Sequence, residues 1–156
     1  MEDSGEKWGI NMLMGEYHHN VDEKKRLIIP SKFRSELGEK VVITRGLEKC
    51  LFLYREDEFQ KLVEKLKNMP FTKQRVREFS RFLLSGATLV EFDKQGRINL
   101  APHLVSYANI VKECTIIGIG DRVEIWSDDS WNDFYSSTFD DMSEIADELF
   151  SDNFSN

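Results

Sequence analysis

The segment Asp22-Glu23-Lys24-Lys25-Arg26 occurs a second time in this chain as Asp93-Lys94-Gln95-Gly96-Arg97. Both copies have the form Asp-x-x-x-Arg. Each follows a run rich in aromatic and β-branched residues, and each precedes a short apolar run that ends at a proline, Pro30 or Pro102. Two copies separated by about 70 residues are too few and too far apart for a solenoid. The pattern therefore predicts a duplicated half-domain.

The correspondence between the copies continues past the motif, where the offset grows by one residue. Leu53-Tyr54-Arg55-Glu56-Asp57-Glu58-Phe59 corresponds to Ile125-Trp126-Ser127-Asp128-Asp129-Ser130-Trp131. The β-type runs on both sides of each motif, joined by three polar residues, predict a β-hairpin with Asp-x-x-x-Arg at its tip. We therefore expect an α+β fold of two pseudo-symmetric halves with peripheral helices.

Apolar residues recur at helical spacing between the strand-like segments. They predict helices over 31–37, 56–67, 73–84, 102–108 and 128–138, beside strand pairs 41–45 with 50–54 and 114–119 with 123–126. A further helix is expected in the acidic tail through Ile145 and Leu149. The expected organisation is a disordered N-terminal extension over 1–11, a first half over 15–58, connecting helices over 59–85, a second half over 86–130, and C-terminal helices with an acidic tail over 131–156.

The composition is that of a globular domain. The chain has 156 residues, of which 40% are hydrophobic, a common length and apolar content for one domain. No apolar run approaches the roughly 18 residues of a membrane span, and no secretory signal is visible. Cys50 and Cys114 stand alone without a Cys-x-x-Cys motif. These features predict buried thiols, a cytoplasmic location and no membrane partner.

The charge is distributed unevenly along the chain. The net charge is −7, but residues 121–156 alone carry −10, so that residues 1–120 carry +3. The segment 15–34 holds five basic and three acidic residues. A basic footprint on one face decides whether a protein binds nucleic acid, whatever its total charge. The acidic total therefore does not exclude DNA as a partner.

The Asp-x-x-x-Arg motif has two interpretations. In the first, Asp22 and Asp93 hold a turn by accepting hydrogen bonds from backbone N–H groups, as turn aspartates often do. In the second, the aspartate stiffens the turn while Arg26 and Arg97 point outward. A guanidinium can form two parallel hydrogen bonds with a phosphate or with O6 and N7 of guanine. Nearby phosphate contacts would come from Lys24, Lys25, Lys32 and Arg34.

The two motif copies differ in the residue before the arginine. Gly96 adopts a positive φ at little cost. Lys25 stands at the matching place, and the same geometry there costs about 1 kcal/mol.

Other candidate sites carry weaker signals. Lys73, Arg77 and Arg81 form a basic stripe that is either a solvated helix face, a phosphate track or a contact for a neighbouring protomer's acidic tail. His18 and His19 are adjacent, so a strand would point them to opposite faces. The usual Cys and His spacings of metal sites are missing, and no phosphate-binding loop or nucleophile motif is present. We expect no metal and no cofactor.

Several stretches of the chain match one known family. They are Met12-Leu13-Met14-Gly15-Glu16-Tyr17, the first motif with Leu27-Ile28-Ile29-Pro30, Leu53-Tyr54, Gly86-Ala87, the second motif with Ala101-Pro102, and Glu124-Ile125-Trp126. Through these stretches the chain resembles the MraZ family from Met12 to about Leu149. The family often has glycine before the first arginine, where this chain has Lys25.

This resemblance implies a bacterial transcription factor with two SpoVT/AbrB-like halves in a β-barrel-like core. It implies a ring-shaped homo-oligomer, associated with the nucleoid, that binds short G-rich direct repeats in double-stranded DNA upstream of the division and cell-wall gene cluster. Arg26 would be the main DNA-contacting residue, with Lys24 and Lys25 beside it and Arg97 as its counterpart.

Two alternatives belong to other functional classes. An AbrB-like antitoxin would block a toxin through its acidic tail, and co-purification with a small partner would favour it. An enzyme would use Asp22 and Asp93 as paired carboxylates, which would have to converge in a cleft, whereas turn tips usually face solvent. We expect no enzymatic activity.

Overall fold

The computed structural model describes residues 12–151, so the extension predicted over 1–11 and the last five residues of the acidic tail lie outside the described part. The strands are β1 Leu13–Asn20, β2 Arg26–Ile28, β3 Lys40–Arg45, β4 Leu51–Arg55, β5 Thr88–Glu91, β6 Arg97–Asn99, β7 Glu113–Gly120 and β8 Val123–Ser127. The helices are α1 Ser31–Leu37, α2 Glu56–Lys67, α3 Gln74–Ser85, α4 Pro102–Tyr107, α5 Asp128–Thr138 and α6 Met142–Phe150. The predicted α+β class and the predicted helices are confirmed, with ends within about a residue, and the tail helix begins at Met142 after a 3-10 turn.

The sheet topology makes the duplication visible. Six strands form an antiparallel sheet in the order β1-β7-β8-β4-β3-β5, and β2 and β6 form a separate two-stranded ribbon. Exchanging the two halves swaps β1 with β5, β7 with β3 and β8 with β4. That exchange reverses the order of the sheet and leaves it otherwise unchanged. A pseudo-two-fold axis therefore passes between β4 and β8, where Phe52 lies opposite Glu124.

The predicted hairpins are wrong, because the strands on either side of each motif do not pair with each other. β1 pairs with β7 and β5 with β3, whereas β2 pairs only with β6. Each half thus gives strands to the other. The physical reason is burial: Leu27 and Ile98, opposite each other in the ribbon, are almost completely buried beneath the large sheet. A local hairpin would lengthen the sheet and leave this face uncovered.

The large sheet ends at β1 on one side and at β5 on the other. Within residues 12–151 no ladder joins these two edges, so the sheet is open and a closed barrel is not found. The barrel-like core implied by the resemblance is therefore unconfirmed.

Two apolar clusters cover the two faces of the large sheet. The ribbon, α1 and α4 pack on one face through residues such as Leu27, Phe33, Ile98 and Leu104. On the other face α2, α3 and α5 contribute Phe59, Leu66, Leu83 and Trp131. Alternating strand residues supply both clusters, as the two-residue period of a strand requires. The ribbon is thereby held firmly against the sheet.

The two cysteines are free and buried, as predicted. Burial raises the pKa of the Cys114 thiol to about 12 and raises that of Cys50 still further. Both thiols therefore stay protonated and unreactive at neutral pH.

Across the part of the chain that the structure describes, the helices are too short or too polar to cross a lipid bilayer.

Candidate nucleic-acid interface

The first motif forms a tight turn that its own aspartate closes. The backbone N–H of Asp22 donates to the carbonyl of Arg26 at 3.0 Å, and the N–H of Lys25 donates to the carbonyl of Asp22 at 3.0 Å. Asp22 Oδ1 accepts from the N–H groups of Lys24 and Arg26, each at 2.9 Å. Asp22 Oδ2 accepts from Arg26 Nε at 2.7 Å. The turn-holding interpretation of the aspartate is therefore confirmed.

The second motif repeats this network bond for bond. Asp93 Oδ1 accepts from the N–H groups of Gln95 and Arg97 at 2.9 Å, and Asp93 Oδ2 accepts from Arg97 Nε at 2.7 Å. Because these bonds need no residue outside each turn, the repeated sequence alone accounts for the repeated geometry.

The hydrogen bonds within each turn also lower the pKa of its aspartate. The backbone N–H of Arg26 is the largest cause that lowers the pKa of Asp22, and the N–H of Arg97 has the same effect on the pKa of Asp93. A carboxyl whose pKa falls on folding stabilises the fold above its unfolded-state pKa, and this contribution is lost as the pH falls through the folded-state pKa. Both turns therefore keep their closing carboxylate charged at neutral pH.

The ribbon places the two turns side by side. The N–H of Ile29 donates to the carbonyl of Gly96 at 3.0 Å, and the N–H of Leu100 donates to the carbonyl of Lys25 at 2.9 Å. Arg97 Nη1 lies 3.7 Å from Asp22 Oδ2, in the other turn. The two motifs therefore form one surface, which separate hairpins would not do. The sequence did not predict this juxtaposition.

The two arginines are held to different degrees. Arg97 Nη2 donates to Gln95 Oε1 at 3.0 Å, in addition to its contact with Asp22. Arg26 uses only Nε, and within residues 12–151 its terminal nitrogens make no hydrogen bond. The side chain of Arg26 is 32% exposed and that of Arg97 is 23% exposed. Arg26 is thus the arginine whose outer nitrogens are more available to a ligand.

The four flanking basic residues divide into two groups. Lys24 and Lys32 are exposed. Lys25 is half-buried, and its Nζ donates to the carbonyl of Val111 at 3.3 Å. Arg34 is half-buried as well, and its Nε donates to the carbonyl of Ile29 at 2.9 Å. Arg34 therefore supports the ribbon and has less freedom to reach outward.

One further cation lies on this surface although the sequence analysis did not select it. Lys94 is an exposed residue of the second turn, at the position that Glu23 occupies in the first. Aligning the two copies residue by residue would have found it. The first turn therefore carries two lysines and one glutamate before its arginine, and the second carries one lysine.

The residue before each arginine has the positive φ expected from the sequence. The φ of Lys25 is 63° and that of Gly96 is 79°. A Cβ on Gly96 would lie 2.5 Å from Cζ of Arg34, well inside van der Waals contact. Glycine at 96 thus satisfies two requirements, a left-handed backbone and close approach of a guanidinium.

Gly96→Ala is expected to lower the free energy of unfolding by about 1–2 kcal/mol. A left-handed backbone costs an alanine about 1 kcal/mol, and moving the flexible Arg34 side chain aside weakens its hydrogen bond to the Ile29 carbonyl, at about 0.5–1 kcal/mol. Urea denaturation measures the loss. Gly96→Ala in an Arg34→Ala background is the matched control, because the backbone conformation stays the same while the guanidinium that the new Cβ would meet is gone. Equal losses in the two backgrounds would contradict the role of Arg34.

Family comparison agrees with the duplicated architecture. Residues 12–82 and 83–153 each match the family described as "MraZ protein, putative antitoxin-like". The two matched segments follow one another directly and together cover nearly the whole chain. The family is of the regulator type. In residues 12–151, no group of histidine, cysteine and acidic side chains is arranged to hold a metal ion. The chain belongs to the MraZ family.

Proposed function

We propose that this protein is a sequence-specific DNA-binding regulator of transcription that acts as a ring-shaped homo-oligomer. The observation that carries the proposal is the pair of adjacent turns, in which two carboxylates fix two guanidinium groups on one surface. The terminal nitrogens of Arg26 can form the paired hydrogen bonds that guanine or phosphate accepts. Exposed Lys24 and Lys32 supply nearby positive charge.

A single copy of this surface would bind DNA weakly. Neutralising two or three phosphates gives a log–log salt slope of about −2 to −3, at ~0.9 per phosphate. Several copies that meet successive sites raise the effective concentration, and affinity can gain about 10²–10⁴-fold. Direct repeats require head-to-tail protomers, which close into a ring. The assembly therefore belongs to the proposed function as much as the turn does.

The proposed targets are short G-rich direct repeats upstream of the protein's own operon, in the division and cell-wall gene cluster, and the proposed location is the nucleoid. Footprinting on that upstream DNA at two salt concentrations tests this. We expect protection of regularly spaced repeats that fades steeply at the higher salt, because each neutralised phosphate releases a counterion. Uniform protection without a repeat would overturn the sequence-specific part of the proposal.

Arg97→Ala is expected to weaken DNA binding less than the same change at Arg26. Arg97 is already held by Gln95 and Asp22, and it is less exposed. A loss of about 1 kcal/mol per site is expected, near the lower end for a base contact. A gel shift of both variants on one DNA fragment compares them. A loss at Arg97 equal to or larger than that at Arg26 would reverse the ranking of the two turns.

A second candidate is an antitoxin or interaction module, which the "antitoxin-like" in the family description favours. The acidic helix α6 would be its contact surface. Affinity purification of the chain at its natural expression level separates the two functions. A stoichiometric small protein partner would support the antitoxin role, whereas recovery of the chain with upstream DNA would support regulation.

A further inference from the structure

Helix α6 carries a stripe of apolar side chains along one face. Met142, Ile145, Ala146, Leu149 and Phe150 follow the i, i+3, i+4, i+7, i+8 spacing of one helix face. No residue of the helix is buried, and Leu149 and Phe150 are 55% and 86% exposed. A contiguous exposed apolar face of this kind marks an interaction surface.

A second apolar surface of the chain is a groove whose charged lining residues are basic. The groove lies between α2 and α3 and has a volume of about 260 Å³. Its apolar lining consists of Val63, Leu66, Met69, Phe71, Val76 and Leu84. Phe71 is 77% exposed, and Met69 and Leu84 are also exposed. The apolar lining of the groove is therefore partly exposed, and its volume suits the side chains of a docked helix face rather than a whole helix.

The loop that closes one end of the groove is held in place. Arg77 Nη1 donates to the carbonyls of Phe71 and Thr72, each at 3.0 Å. These two bonds fix the backbone that carries Phe71. The exposed phenyl ring is thus presented by a constrained loop, which reduces the ordering cost of a contact made there.

Charge complements shape at the two surfaces. The charged residues that line the groove are Lys67 and Arg77, and no acidic residue lines it. Helix α6 carries Glu144, Asp147 and Glu148 and has no basic residue. An acidic amphipathic helix and a basic-rimmed apolar groove are complementary in both respects.

We propose that α6 of one protomer docks in the α2–α3 groove of the next. Every copy carries both surfaces, so the contact is head-to-tail, and such contacts close into rings or extend as filaments. This inference rests on the homo-oligomer in the proposed function, and it names the surfaces that build that assembly. The contact involves neither Asp-x-x-x-Arg turn, which leaves both turns available to DNA.

The test pairs one variant in each surface of the full chain. Leu149→Asp damages the helix and leaves the groove, whereas Leu84→Asp damages the groove and leaves the helix. Native mass spectrometry and light scattering should show each variant alone as a monomer, with association roughly 10- to 100-fold weaker than for the unmodified chain. Mixed in equal amounts, the two variants should form a heterodimer, because one intact helix then meets one intact groove.

Two further variants guard against misfolding. Phe71→Ser removes a highly exposed ring of the groove and should reproduce Leu84→Asp. Leu47→Asp is the control, because Leu47 is an exposed leucine in the β3–β4 connection that belongs neither to α6 nor to the lining of the groove. Circular dichroism confirms that each variant is folded. Loss of assembly in Leu47→Asp as well would count against the proposed interface.

The outcomes separate this interface from the proposed DNA-binding function, because the mass measurements contain no DNA. An unmodified chain that assembles, together with a Leu149→Asp variant of unchanged mass, would overturn the interface alone. Absence of a heterodimer in the mixture would also overturn it. A monomeric unmodified chain would overturn both the interface and the ring.

Discussion

Arg26→Ala is expected to abolish specific binding to upstream DNA while the mass of the assembly stays unchanged. Arg26 is the motif arginine whose terminal nitrogens make no hydrogen bond within residues 12–151. A bidentate arginine contact discriminates its base by about 1–3 kcal/mol. Because every protomer of the proposed ring repeats the contact, the loss per site accumulates over the sites that are engaged together. A gel shift should therefore fail to detect a specific complex.

Arg75→Ala is the matched control for this experiment. Arg75 lies on α3, its side chain is 94% exposed, and it pairs with Glu78 on the same helix. Removing it changes the net charge by the same amount as Arg26→Ala. Any general effect of charge on DNA affinity therefore appears in both variants, and an effect of the turn appears only in the first. Unaltered affinity of Arg26→Ala would refute the assignment of Arg26 to the DNA contact.

The helices and the turn chemistry were predictable because both depend on neighbours in sequence. The helix over 31–37 follows from Phe33 and Leu37 four residues apart and from Gly38 at its end, and the structure has the same bounds. Asp22 and Asp93 bond N–H groups two and four residues away. Interactions of such short range leave their signature in a single sequence.

The partners of the strands were not predictable in the same way. The runs beside each motif have β-type composition, which identifies a strand but not its neighbour. β2 contains only three residues, and its pairing with β6 depends on which apolar face the large sheet leaves uncovered. That is a property of the whole fold. The adjacency of Asp22 and Arg97 and the supporting role of Arg34 were missed for the same reason.

Leu27→Ala is expected to lower the free energy of unfolding by about 2–5 kcal/mol, the range for a leucine removed from a core that cannot collapse. Leu27 is 0% exposed and lies opposite Ile98 in the ribbon. The ribbon joins the two halves and sets the distance between the two turns. DNA binding should therefore fall together with stability, at temperatures where the variant is still folded. Urea denaturation and a gel shift measure the two effects.

Ile28→Ala is the control for this loss, because Ile28 belongs to the same three-residue strand but points to the exposed side. Its removal should change stability by no more than about 0.5–1 kcal/mol. A double-mutant cycle with Ile98→Ala then isolates the contact across the ribbon, for which residues in contact typically give about 0.5–3 kcal/mol. Additive losses at Leu27 and Ile98 would mean that the two side chains are buried independently. The ribbon would then couple the halves through its backbone hydrogen bonds, such as those of Ile29 with Gly96 and of Leu100 with Lys25, and not through this side-chain contact.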